Sequence, residues 1–305
     1  MLKYVIKRIF YALLTIFTVT TLTFILMFLV PGGPFLSEKA PSQATIDALN
    51  EKYGLDKPKI VQYKNYVFKL IKGDLGVSLK QRGLSVNDII KSGFPVSARI
   101  GGAAALIAII MGILLGSLAA FHHEKFLDNF IILFSTLGIA TPSFVMGTVL
   151  LIIFGVKLNW LPTFGIGTPA HHILPVLALS LYPTAYIIRI MRSSMLEVLH
   201  QDYIRTAKAK GVSQFKCIFK HALRNAVLPV ITYFGPMLAN LLTGSFVIEK
   251  IFTIPGIGNT FINSAISRDY PLIMGTTIFL AFLIVFINVA VDILYKIIDP
   301  HITLK

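Results

Sequence analysis

The chain is poor in cysteine, tryptophan and charge. Among 305 residues there are one Cys, one Trp and a charged share of 14%, with 14 acidic residues against 28 Lys and Arg. The lone Cys217 excludes an intrachain disulfide and a thiolate metal cluster, and beside Lys216 and Lys220 it reads as a helix bystander. So little charge excludes an ordinary soluble domain, in which about a quarter of residues are charged. No G-x-x-x-x-G-K-[ST] run is present, so the usual loop for nucleotide phosphates is missing. His122-His123 and His171-His172 are adjacent pairs, which point apart on a helix and do not give the i, i+4 geometry of a metal site. No Ser/His/Asp or paired-carboxylate pocket can be argued.

What the chain has is long apolar runs. Hydrophobic residues make up 55% of it and the mean hydropathy is +0.76. Charge-free windows lie at 9–30, 100–121, 130–156, 173–188, 226–248 and 271–291. Five of these reach the length of about 20 residues that a bilayer helix needs. The fourth reaches it through His172 and the Arg189 to Arg192 end, where arginines snorkel to headgroups. These windows predict an all-α integral membrane protein with six transmembrane helices. The first run follows a basic start, but its apolar part is too long for a secretory signal and Val30-Pro31-Gly32-Gly33 is no small-x-small cleavage site, so it is expected to stay as a helix.

The distribution of Lys and Arg sets the expected orientation. An inside N-terminus places fourteen basic residues in the cytosol, eight of them between Arg189 and Arg224, against Lys157, Lys250 and Arg268 in the two short outer loops. The outer segment 31–97 carries ten more, but long loops weigh little in this rule. Both termini are therefore expected in the cytosol. The expected divisions are 1–30 for the N-terminus and first helix, 31–97 for an extracytoplasmic loop, 94–295 for the transmembrane domain with an inner loop at 197–225, and 296–305 for a cytosolic tail. The formal charge of +14 fits this topology and anionic lipid rather than nucleic acid.

Three segments stand outside the membrane. The outer one breaks at Pro31-Gly32-Gly33-Pro34 and then offers helices over Thr45 to Lys52 and Lys59 to Ile71, the second with Ile60, Val67, Phe68 and Ile71 as an apolar stripe for the membrane or the bundle. A second outer segment, 249–272, must turn at Ile254-Pro255-Gly256-Ile257-Gly258-Asn259. In the inner segment Asp202 is placed to N-cap a helix from Tyr203 to Lys210, and Gly211 to stop it in a left-handed conformation. Ser213 then caps a second helix whose face is Phe215, Ile218, Phe219 and Ala222. An amphipathic pair among headgroups satisfies that pattern. The small residues Thr206 and Ala207 beside Gly211 add a surface that another protein can approach closely.

The run Asp202-Tyr203-Ile204-Arg205-Thr206-Ala207-Lys208-Ala209-Lys210-Gly211, with His221-Ala222-Leu223-Arg224-Asn225-Ala226 and Leu228-Pro229, resembles the coupling loop of binding-protein-dependent ABC transporter permeases of the peptide and nickel branch. Gly54-Leu55-Asp56, Gln62-Tyr63, Gly73-Asp74-Leu75-Gly76-Val77-Ser78, Pro255-Gly256-Ile257-Gly258 and Arg268-Asp269-Tyr270-Pro271 resemble the outer loops of that branch. Pro31-Gly32-Gly33-Pro34-Phe35, Ser85-Val86-Asn87-Asp88 and Phe94-Pro95-Val96-Ser97-Ala98 resemble the oligopeptide permease B subunit. The resemblance implies a type I importer permease fold and a heterodimer with a homologous C-type permease. It also implies two ATPase subunits that hold ATP and Mg and do the hydrolysis, and an extracytoplasmic peptide-binding protein. On that reading the chain needs no cofactor of its own, and residues 202–211 couple ATPase closure to helix rocking.

A path through such a bundle is expected at its polar positions: Ser135, Thr136 and Ser143 in the third run, Tyr233, Asn240 and Thr243 in the fifth. Each also fits a simpler role in bonding neighbouring helices. No charged residue is expected near a helix midpoint. Gly112 and Gly116 read as a close helix contact, and Asp292 as a partner for Arg189 or Arg192. A dipeptide, nickel or metal-chelate cargo is the alternative within the branch. A secondary transporter lacks support because neither internal repeats nor an intramembrane ionisable residue is evident, and a channel would need no docking helix.

Overall fold

The computed structural model describes residues 2–29, 33–35, 43–81 and 83–298. In chain order its helices are α1 (Leu2–Leu29), α2 (Gln43–Tyr53), α3 (Lys59–Ile71), α4 (Val86–Phe121), α5 (Phe126–Ala140), α6 (Ser143–Leu150), α7 (Ala170–Leu199), α8 (Asp202–Ala209), α9 (Gln214–Lys216), α10 (Leu223–Ala226), α11 (Leu228–Leu242), α12 (Phe246–Ile251), α13 (Ile257–Ser267) and α14 (Tyr270–Ile298). Two stretches are wound as π-helix, Leu151–Lys157 after α6 and Cys217–Ala222 between α9 and α10. Among the described residues the one strand-like pairing is an isolated bridge between Val77 and Ser85.

Among the described residues five helices are long and apolar enough to cross a bilayer: Ile6–Leu29, Val86–Phe121, Ala170–Leu199, Leu228–Ile251 and Tyr270–Val291. The short fourth window thus belongs to a full 30-residue helix. The third window is not one rod. Between α5 and α6 the axis turns by 104°. Pro142 disfavours helical backbone at the residue before it, and Thr141 is accordingly extended at φ −95°, ψ 121°. Counted as one span, this broken pair brings the number to six.

One compact unit comprises residues up to Val96 together with Gly256–Phe286. In it the Tyr63 hydroxyl lies 2.7 Å from Thr21 Oγ1, fixing α3 to α1, and the Lys59 ammonium sits 3.8 Å from the centre of the Phe28 ring. Burial lowers the Lys59 pKa. The Tyr66 phenol is pushed up by burial and by the charge of Asp74. Ile60, Phe68 and Ile71 of the α3 stripe remain exposed, so the stripe does not lie on the described part of its own bundle. The segment after Pro255 is α13 rather than a simple turn, opened by extended Gly256 and closed by Arg268 in the left-handed region at φ 56°.

The other unit comprises Ser97–Pro255 and the chain from Ile287. Its spine is α7. A Cβ on Gly112 would stand 2.5 Å from Ile187 Cγ2, and one on Gly116 2.7 Å from Met191 Cβ, so α4 and α7 touch through their glycines as the G-x-x-x-G spacing predicts. The core joins Ile187, Met191 and Met195 of α7 to Ile204 of α8 and to Cys217, Ile218, Ala222 and Ala226 of the following helical stretch. Cys217 is therefore a fully buried core residue, and its thiol donates to the Val212 carbonyl at 3.7 Å. The π-helical turn rotates the expected face, leaving Phe215 61% exposed while Cys217 moves inside. The tail beyond Ile298, residues 30–32 and the Asp292 side chain lie outside the described residues.

Candidate functional site

The inner segment is a short helix standing on a buried base. Ile204 is fully buried and Ala207, one turn on, packs against the same core. This pair anchors α8. Asp202, Tyr203, Arg205, Thr206, Ala209 and Lys210 are exposed around it. The Tyr203 hydroxyl accepts from Asn225 Nδ2 at 2.8 Å, which pins the helix to α10. Asp202 does not cap α8 from outside. The helix starts at Asp202, the Gln201 carbonyl accepts the Arg205 N–H at 3.2 Å, and the Asp202 carboxylate turns to solvent, 3.8 Å from Arg205 Nη1. The Thr206 hydroxyl returns to the Asp202 carbonyl at 3.0 Å. Gly211 has φ +79° with open space where a Cβ would be, so a side chain there is opposed by backbone geometry alone.

The polar positions of the helices separate into two groups. Ser135 and Thr243 are buried, and their hydroxyls bond the carbonyls of Ile132 at 2.9 Å and Asn240 at 2.8 Å in their own helices. Both side chains are buried within the chain. Thr136 and Asn240 are exposed, while Tyr233 and Ser143 are half-buried, the latter opening α6 just after the bend. The Tyr233 ring packs on Tyr186 with centroids 4.4 Å apart.

Among the described residues, two charges within the spanning helices have hydrogen-bond partners on other elements. Arg189 of α7 is exposed and donates from Nη2 to Thr136 Oγ1 at 2.7 Å. Glu249 of α12 is buried and accepts from Ser97 Oγ at 2.6 Å. Arg192 pairs with Asp128 of α5, through Nε to Oδ1 at 2.6 Å and Nη2 to Oδ2 at 2.7 Å. Asp128 also accepts from the Glu124 N–H at 2.9 Å and meets His123 Nδ1 at 3.3 Å. One member of the His122-His123 pair is thus part of an ion-pair network. At the start of α14 the buried Asp269 carboxylate accepts from the Ser78 hydroxyl, from Leu79 N–H at 3.0 Å and from Lys80 N–H at 3.3 Å. It brings together the two outer motifs that the sequence reading placed in separate loops.

The sequence pattern described as binding-protein-dependent transport system inner membrane component matches residues 112–304, and that of the N-terminal part of such membrane components matches residues 1–97. The chain belongs to this transport family. It is 48% identical over 304 residues to the dipeptide transport system permease protein DppB of Bacillus subtilis, covering 100% of this chain and 99% of that one. It is also 48% identical to the oligopeptide transport system permease protein OppB of Haemophilus influenzae and 42% identical to OppB of Escherichia coli, each over 99% of both chains. Among solved structures, the inward-facing MetNI methionine ABC transporter matches with a TM-score of 0.56 at 14% identity, over 69% of this chain and 96% of that one. An amino acid ABC transporter gives 0.52 at 16%, over 71% and 95%. The fold is that of a type I ABC importer permease, and the chain crosses the membrane several times.

Sequence reasoning found α8 in this permease because the stop signal at Gly211 is local. It missed Asp128, which stands beside a polar turn and reads there as a loop charge until its partner 64 residues away is seen. Tyr182 and Tyr186 were missed because tyrosines in an apolar run look like bulk. The signal was available in their spacing with Arg189, which puts all three on one helix face.

Proposed function

We propose that this chain is the B-type permease subunit of an ATP-driven, binding-protein-dependent importer of oligopeptides. The observation that carries this is similarity over essentially the whole chain to permeases named for oligopeptide and dipeptide transport. In this reading it forms half of a translocation path with a homologous C-type permease, and an extracytoplasmic protein delivers the peptide. Two cytosolic ATPase subunits, which hold ATP and Mg, dock on α8. Asp202, Tyr203, Arg205, Thr206, Ala209 and Lys210 meet the ATPase, while Ile204 and Ala207 carry its motion into the core around Met191 and Met195. Lys208 belongs to the same docking helix. Both termini face the cytosol of a bacterial cell, and residues 31–97 lie outside.

A dipeptide cargo is the second reading, favoured by the 48% identity to a dipeptide permease. The test is uptake of labelled di-, tri- and pentapeptides by proteoliposomes holding the full complex. ATP- and binding-protein-dependent uptake of the longer peptides supports the first reading, and uptake of dipeptides alone supports the second. Peptide movement without ATP overturns both in favour of a channel or secondary transporter.

A further inference from the structure

The Arg189 guanidinium is exposed on α7, ten residues before the end of that helix. It binds Thr136, ten residues into α5, which at 1.5 Å per residue is about 15 Å from the start of that helix. An exposed arginine within an apolar spanning helix is unfavourable against lipid and is expected to face a polar cavity or a partner. Among the described residues the guanidinium is met by the Thr136 hydroxyl and by no carboxylate.

The surroundings of Arg189 are polar in the same way. Tyr182, Tyr186, Arg189 and Ser193 follow at spacings of four, three and four, so they share one face of α7. Tyr182 and Tyr186 are 45% and 38% exposed and their rings stack with centroids 6.4 Å apart. Tyr182 is about 18 Å along α7 from Ala170, too far in for the aromatic belt at a membrane surface. Thr136 of α5 and Tyr233 of α11 flank this face, through the Arg189 hydrogen bond and the Tyr186 ring contact. A cation with spare donors, set beside phenol hydroxyls and aromatic faces, is chemistry for a carboxylate attached to an amide backbone.

We propose that Tyr182, Tyr186 and Arg189, with Thr136 and Tyr233, form a station on the translocation path that recognises the C-terminal carboxylate of the passing peptide. This rests on the reading of the chain as a peptide permease. The experiment uses proteoliposomes containing the whole complex with its binding protein, and compares uptake of one labelled peptide as free acid and as C-terminal amide. Arg189→Gln is expected to lower the free-acid to amide uptake ratio about tenfold relative to wild type, the loss of a charge-assisted bond, and Arg189→Lys to retain most of it. An unchanged ratio in Arg189→Gln overturns the station while leaving the peptide reading intact. Failure of the wild-type complex to move either form overturns the peptide reading first. Independently of transport, Arg189→Cys in the assembled complex is expected to react with a water-soluble thiol reagent and to be shielded by the free-acid peptide. Cys217 is buried and does not compete. Lack of reaction at position 189 assigns the residue to lipid or to subunit packing and overturns the proposal.

Discussion

The Ser78 hydroxyl donates to the Asp269 carboxylate, joining two outer segments 191 residues apart in sequence. The same carboxylate receives the N–H groups of Leu79 and Lys80 and sits at the first turn of α14, so one buried group orders a loop and a helix start together.

Asp269→Ala leaves buried donors without an acceptor and is expected to destabilise the outer segment by about 1–3 kcal/mol. The variant protein, purified in detergent, should be cut by protease between residues 72 and 84, where wild type resists. Asp269→Asn keeps one acceptor oxygen and should be cut more slowly than Asp269→Ala. Equal resistance of all three proteins removes the ordering role.

Asp128→Ala strands the Arg192 guanidinium and is expected to cost about 3–5 kcal/mol, whereas Asp128→Leu combined with Arg192→Met should cost less because no unpaired charge remains. Thermal unfolding in detergent orders the three proteins. A double variant no more stable than Asp128→Ala contradicts the pairing.

At Gly211 the space is open and the constraint is φ +79° alone. Gly211→Val should therefore cost about 1–2 kcal/mol locally, while Gly211→Asn should be nearly silent, since Asn tolerates the left-handed region. Uptake and ATP hydrolysis by the full complex should fall apart in the valine variant, with hydrolysis continuing and transport lost. Wild-type coupling in Gly211→Val would falsify the role of α8 as the transmitting element.

Orientation is tested by single cysteines at exposed positions on either side. Lys64→Cys should react with an impermeant thiol reagent added to intact cells, and Ala209→Cys should react only after the cells are opened. Labelling of Ala209→Cys from outside reverses the topology.

Local signals carried far in this sequence. Charge-free runs located the spans, Gly211 marked the end of α8, and Gly112 with Gly116 announced the contact with α7. What escaped depended on partners distant in sequence or on a shift of register. The hydroxyls of Thr243 and Ser135 each satisfy themselves on a carbonyl three residues back, a bond that the letters alone do not show. The π-helical turn at Cys217–Ala222 adds a residue to the repeat, so a stripe counted at 3.6 residues per turn points Phe215 the wrong way. The 104° bend required the context of Thr141-Pro142, where a hydropathy window saw continuous oil.

The burial of Ile204 with Met195, Cys217 and Ile218 in one cluster has a consequence for engineering. The docking helix is not a cassette. Grafting residues 202–211 into another permease carries the outward-facing letters but puts Ile204 against a base shaped for a different residue. A chimera that is to accept a foreign ATPase needs its crossover points in α7 before Met191 and in α11 after Val230, so that the helix travels with the floor it stands on.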